Sequence, residues 1–232
     1  PVVDDSGPVT TGAPHPGDGA VIAIDGPAGS GKSTVASALA ARLGLRRLDT
    51  GAMYRAVTLL ALRSGIDLAD GEACAAMARA MELEMGDEIL LNGQDVSTAI
   101  RTPEVDAAVS VVAAHPAVRA ELVRLQRAWI ETHGGGVVEG RDIGSVVAPS
   151  ARMKVYLTAE PDERARRRAL QHSGSAVIAG AAASLTEAAI ARRDRLDAAR
   201  AVSPLVVADG AIVVDTTGRS VADVVEEVLS YL

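Results

Sequence analysis

Residues Ile24–Gly44 read IDGPAGSGKSTVASALAARLG, and the fold class turns on how this stretch is parsed. Before it, AVIAID (Ala20–Asp25) is a short apolar run stopped by Gly-Pro, the pattern of a fully buried strand. After Lys32, Val35, Leu39 and Leu43 recur at four-residue spacing with Ala36 and Ala40 beside them, one helical face closed by Gly44. Between strand and helix, Gly26 to Ser33 fit G-x-x-x-x-G-K-[ST]. In such a loop successive backbone N–H groups curl into an anion-binding nest, and the following helix adds the positive end of its dipole. The expected phosphate cradle is Gly26, Pro27, Ala28, Gly29, Ser30, Gly31, Lys32, Ser33 and Thr34. Lys32 is placed to reach β- and γ-phosphates, and the Ser33 hydroxyl to coordinate Mg²⁺.

Working outward, LRRLD (45–49), GVVEG (136–140), KVYLT (154–158) and AIVVD (211–215) are further strand candidates, most of them separated by helical patterns. In AVRAELVRLQRAWIETH, Val118, Leu122, Leu125 and Trp129 step by helical spacings. In SVADVVEEVLSYL, Ser220 and Asp223 form a capping pair. Such alternation implies a parallel sheet covered on both faces. LEMGDEILLNGQDVSTAIR (83–101) departs from it, with Asn92-Gly93 between short apolar runs reading as an antiparallel hairpin.

Composition narrows the function. The 232 residues are 48% hydrophobic and 23% charged, ordinary for a globular protein, and no run is long and apolar enough for a membrane span. Residues 1–19 carry little to bury and read as a tail without secretion-signal features, so a cytoplasmic location is expected. Cys74 is the sole cysteine, and His15, His115, His133 and His172 lack zinc-ligand spacing. A net charge of −7 argues against nucleic acid as a partner. Small phosphorylated ligands respond instead to local charge. There, Arg164, Arg166, Arg167, Arg168, Arg192, Arg193, Arg195 and Arg200 stand against six acidic residues between Glu160 and Arg200. Clustered guanidiniums grip phosphate oxygens in bidentate fashion and suit a lid that closes over them. The lid centre, SGSAVIAGAAASLT (173–186), is unusually apolar for such a connection. No long apolar surface stripe remains unassigned, so a monomer is expected.

A P-loop alone leaves a phosphotransferase, a nucleotide-driven switch and an inactive binding module open. The guanine-reading string N/T-K-x-D is absent from the sequence. IDGPAGSGKST, LDTGAMYRAV, VVEGRDIG, ERARRRA and RRDRLDAARAVSPL, in this order and spacing, resemble the bacterial cytidylate kinases of the nucleoside monophosphate kinase group, from about Val21 to Leu232. The resemblance implies a P-loop α/β fold: five parallel strands with flanking helices, a monophosphate-binding insertion containing a small antiparallel sheet, and a helical lid. It divides residues 20–232 into a core (20–50, 104–160 and 201–232), an insertion at about 51–103 and a lid at about 161–200. It implies ATP as donor, Mg²⁺ as metal, and CMP or dCMP as acceptor.

Carried over position by position, the resemblance assigns Lys32, Arg141, Arg164, Arg168 and Arg200 to catalysis, and Thr50, Arg55, Ser110, Arg119, Arg141, Asp142, Asp197 and Arg200 to the acceptor. Chemistry agrees for the base. Cytosine presents an amino donor at N4 and acceptors at N3 and O2, which suit a carboxylate and an arginine. Uracil would set its O4 against Asp142, and a buried unsatisfied group costs about 1–3 kcal/mol, roughly 5- to 150-fold in discrimination. For a second metal ligand, Glu139 and Asp215 both stand at strand ends and remain open. Thr216 and Thr217 mark the edge where the adenine is expected.

Overall fold

The period-two alternation of the first strand organises everything else. Val21 and Ala23 enter one hydrophobic cluster while Ile22 and Ile24 enter another. The computed structural model describes residues 20–173, 188, 190–192, 194–197, 200 and 204–232, with the side chains of 171–173 excepted. The expected tail, the lid centre apart from Ser173, and Arg193 lie outside the described residues.

Strand β1 (Val21–Asp25) leads through the P-loop to helix α1 (Lys32–Leu43), then β2 (Arg47–Asp49), α2 (Thr50–Arg63) and α3 (Gly71–Ala80). Strands β3 (Leu83–Met85), β4 (Ile89–Leu91) and β5 (Gln94–Asp95) follow, then α4 (Pro103–Val112), α5 (Pro116–His133), β6 (Gly136–Glu139) and β7 (Met153–Thr158). Helix α6 (Pro161–Ser173), strand β8 (Ile212–Asp215) and the final helix, numbered α7 (Val221–Leu229), complete the described elements. The main sheet has five parallel strands in the order β2-β6-β1-β7-β8. Residues of α2 to α5 pack on one face and those of α1 and α7 on the other. Ligands of such sheets bind beyond the carboxyl ends of the strands. Here the ends of β1, β2 and β6 are Asp25, Asp49 and Glu139.

Two expectations are corrected. The strand expected at 45–49 begins only at Arg47, because the Leu45 N–H is still engaged by the Ala40 carbonyl at 2.9 Å in the cap of α1. The hairpin at 83–101 is a three-stranded sheet, β3-β4-β5, followed by a 3₁₀ turn at Ala99–Arg101. Its β4–β5 turn is the Asn92-Gly93 pair, with φ of 50° and 76°, as a type I′ turn requires. The capping pair holds: Ser220 Oγ accepts from the Asp223 N–H at 3.2 Å. No helix among the described residues is long and apolar enough to cross a membrane.

Candidate active site

Three of the P-loop glycines have positive φ: 145° at Gly26, 77° at Gly29 and 90° at Gly31. A Cβ on Gly26 would sit 2.2 Å from the Leu157 carbonyl oxygen, and one on Gly29 2.6 Å from that of Arg164. These two positions are therefore forced by β7 and α6 as well as by any approaching phosphate. Around them, Lys32 Nζ donates to the Pro27 carbonyl at 2.6 Å, and Ser33 Oγ donates to Glu139 Oε2, also at 2.6 Å.

Sheet order sets Glu139 and Asp215 apart. β6 lies directly beside β1, so Glu139 reaches the start of α1. Asp215 ends the edge strand β8 and accepts from the backbone and hydroxyl of Thr217. Burial, with Asp49 nearby, raises the Glu139 carboxyl to about 7 even though Ser33, Lys32 and Arg47 favour its ionised form. Thr50 is buried and gives its hydroxyl proton to the Glu139 carbonyl at 2.7 Å, so it meets a phosphate only by surrendering that bond.

The acceptor set converges on the same place. Arg119, 2% exposed, donates to Asp142 Oδ2 at 2.6 Å and lies 5.3 Å from the centre of the Tyr54 ring. Arg141 pairs with Asp197 at 3.2 Å and Asp194 at 3.5 Å, and Arg200 pairs with Asp197. Arg55 and Arg168 share Asp106, the latter at 2.7 and 2.8 Å from its two oxygens. Arg164 pairs with Asp194, whose other oxygen takes the Ala28 N–H of the P-loop at 3.3 Å. A carboxylate thus sits at the loop built for phosphate. Among the described residues, the buried Nε groups of Arg119 and Arg200 find no hydrogen-bond partner.

One cleft of about 440 Å³ unites the two sets. It is lined by Ala28, Gly29, Gly31, Lys32, Ser33 and Thr34 from the loop and by Thr50, Arg55, Ser110, Arg119, Arg141, Asp142, Arg168, Asp197 and Arg200 from the acceptor and catalytic sets. Gly26, Pro27, Ser30 and Arg164 are not among the lining residues. Arg167, one of the clustered arginines, clamps the Thr216 hydroxyl and carbonyl at 2.8 and 2.7 Å, while sequence reasoning passed over the counter-carboxylates Asp106 and Asp194. Nothing in local spacing marks those two aspartates; their partners lie 30 to 166 positions away.

A family model described as cytidylate kinase matches residues 22–232. The chain belongs to the cytidylate kinase family. The cytidylate kinase of Mycobacterium leprae (strain Br4923) is 51% identical over 213 residues, covering 91% of this chain and 95% of the relative. That of Symbiobacterium thermophilum is 50% identical over 217 residues, with the same coverage. A bifunctional pantoate ligase/cytidylate kinase of Parasynechococcus marenigrum is 50% identical over 89% of this chain but only 42% of that protein. Cytidylate kinase sequences therefore align with both halves of the cleft, the P-loop and the arginine-rich wall.

Proposed function

We propose that this chain transfers the γ-phosphoryl group of ATP to CMP or dCMP, giving ADP and CDP or dCDP. The observation that carries the reading is a single cleft holding Lys32 and Ser33 at one end and the buried Arg119–Asp142 pair at the other. The division into core, insertion (about 51–103) and lid (about 161–200) belongs to this proposal. Asp142 accepts from the cytosine amino group, Arg119 donates to N3 and O2, and Ser110 supplies a third contact. Arg55 and Arg141 hold the acceptor phosphate, with Asp197 and Arg200 beside the ribose and phosphate. Lys32, Arg164 and Arg168 neutralise charge that builds on the transferring group. No general base is needed, because a phosphate monoester with a second pKa of about 6 is already ionised near neutrality.

The side-by-side oxygens of Ser33 and Glu139 match the hard-oxygen preference of Mg²⁺. Ser33 and Glu139 would hold the ion jointly with the nucleotide phosphates, whose charge it neutralises when bound. The test is a coupled ADP-release assay with CMP, dCMP, UMP and AMP as separate acceptors. ADP production that depends on acceptor and favours CMP and dCMP is expected. The same rate without any acceptor would overturn the reading.

A further inference from the structure

Asp25 is the last residue of β1, 4% exposed, and has no role in the chemistry above. Its Oδ1 accepts the Ile143 N–H at 2.9 Å and its Oδ2 accepts the Gly144 N–H at 2.8 Å. Those two residues open the single turn Ile143–Val147 that directly follows Asp142. An aspartate at the head of a turn ordinarily caps it with its own side chain. Asp142 does not: its side chain makes no cap bond and instead faces Arg119 at 2.6 Å. Asp25 takes over the capping from a neighbouring strand, which releases the Asp142 carboxylate toward the cleft. One residue further on, the Gly26 carbonyl accepts from Arg141 Nη1 at 3.3 Å.

We infer that Asp25 is a positioning residue for acceptor specificity, fixing the Arg141–Asp142 segment to the root of the P-loop. The inference rests on the reading of Asp142 as the carboxylate that meets the base. The arrangement is held against a cost: burial raises the Asp25 carboxyl to about 6, countered by its two backbone bonds. Asp142, just ahead of that turn, opposes its ionisation and Lys32 of α1 favours it, while Tyr156 of β7 is its register partner across the sheet.

The test compares Asp25→Asn with the parent enzyme. The amide retains one acceptor and turns an N–H₂ toward the second backbone donor, displacing the turn. Because misplacement of a reacting partner by about 1 Å can cost 10²-fold, the CMP-to-UMP ratio of kcat/KM should fall by roughly tenfold while the KM for ATP stays within about twofold. A folded variant with an unchanged ratio, or with CMP, UMP and ATP affected alike, would overturn the inference. Asp142→Ala separates the two levels: if it leaves the ratio intact, the base-recognition reading itself fails. Should Asp25→Asn not fold, the parent protein carries the test. Cytidine and uridine, which have no phosphate to titrate, are compared by NMR titration between about pH 5 and 8. The preference for cytidine should shrink as pH falls through the Asp25 transition, with the Ile143 and Gly144 amide signals moving in step. A constant preference, or static amides, would overturn it.

Discussion

Replacing Asp142 by alanine separates the structural and the recognition roles of one carboxylate. Its partner Arg119 has a side chain 2% exposed, and Asp142 is 7% exposed. Removing one member of a buried pair leaves an uncompensated charge and costs about 3–5 kcal/mol. At about 2–4 °C per kcal/mol for a chain of this size, Tm should fall by roughly 6–20 °C. A second change in the same background, Arg119→Leu, removes the stranded guanidinium and should recover much of that loss. Recognition has a different signature. Loss of the acceptor for the cytosine amino group should lower kcat/KM for CMP, whereas UMP loses only a repulsion. The CMP-to-UMP ratio should therefore collapse by roughly 5- to 150-fold. The assay is coupled ADP release at saturating ATP, well below the variant's Tm, with each acceptor titrated separately. A large fall in Tm with an unchanged ratio would mean that the pair only braces the fold, and the recognition argument would be wrong.

Lys32→Ala should lower kcat by at least about 10²-fold, measured at saturating ATP and CMP, since it deletes the cation aimed at the transferring group. Gly26→Ala would place its Cβ 2.2 Å from the Leu157 carbonyl at a φ of 145°, so thermal melting should reveal a loss above about 2 kcal/mol together with weakened ATP binding. The pH dependence of stability follows from Asp25. Its carboxyl is raised from 3.8 to about 6, so between those values the folded state binds more protons than the unfolded one. That group alone makes stability rise as pH falls through 6, by up to about 3 kcal/mol at pH values below 3.8. Asp25→Asn should remove this contribution, and superimposable Tm–pH curves for parent and variant would contradict the assignment.

Much of this molecule was legible from period and punctuation. The run Ala20–Asp25 had to be a buried strand, and the glycine-lysine run after it had to be a loop feeding a helix. Asn92-Gly93 marked its turn because few residue pairs tolerate two positive φ values in succession. What stayed hidden depends on neighbours distant in sequence. Glu139 and Asp215 both end strands, and only the sheet order puts one beside Ser33 and the other at the edge. Asp106 looks like an ordinary acidic residue in the first turn of a helix, where it complements the dipole. Its actual task, holding Arg55 from α2 and Arg168 from α6, needs three helices in place before it can be seen. Gly26 and Gly29 belong to the expected phosphate cradle, yet the nearest obstacles to a side chain there are carbonyls of the protein itself.

The carboxylates that sequence reasoning passed over change how binding in this cleft should be understood. Each arginine proposed to meet a phosphate or the base already faces an aspartate: Arg55 and Arg168 share Asp106, and Arg141 and Arg164 share Asp194. Arg200 rests on Asp197 and Arg119 on Asp142. Six guanidiniums gathered in and around one cleft would repel one another, and burial already pulls Arg168 and Arg200 below the usual guanidinium range. The aspartates hold them in place at tolerable energy. On the proposed roles, a phosphate entering the cleft would exchange one anion for another, and its affinity would be a difference between two charge-assisted hydrogen-bond sets. Asp194 makes the exchange most direct, since it occupies the Ala28 N–H that a donor phosphate would claim. Because the Asp106 and Asp194 pairs each tie α6 or the Asp194 segment to another part of the cleft, an exchange that bound a phosphate there would also loosen a cross-link. On the proposed roles, substrate binding and release of the α6 and Asp194 ion pairs would be one exchange of anions seen from two sides.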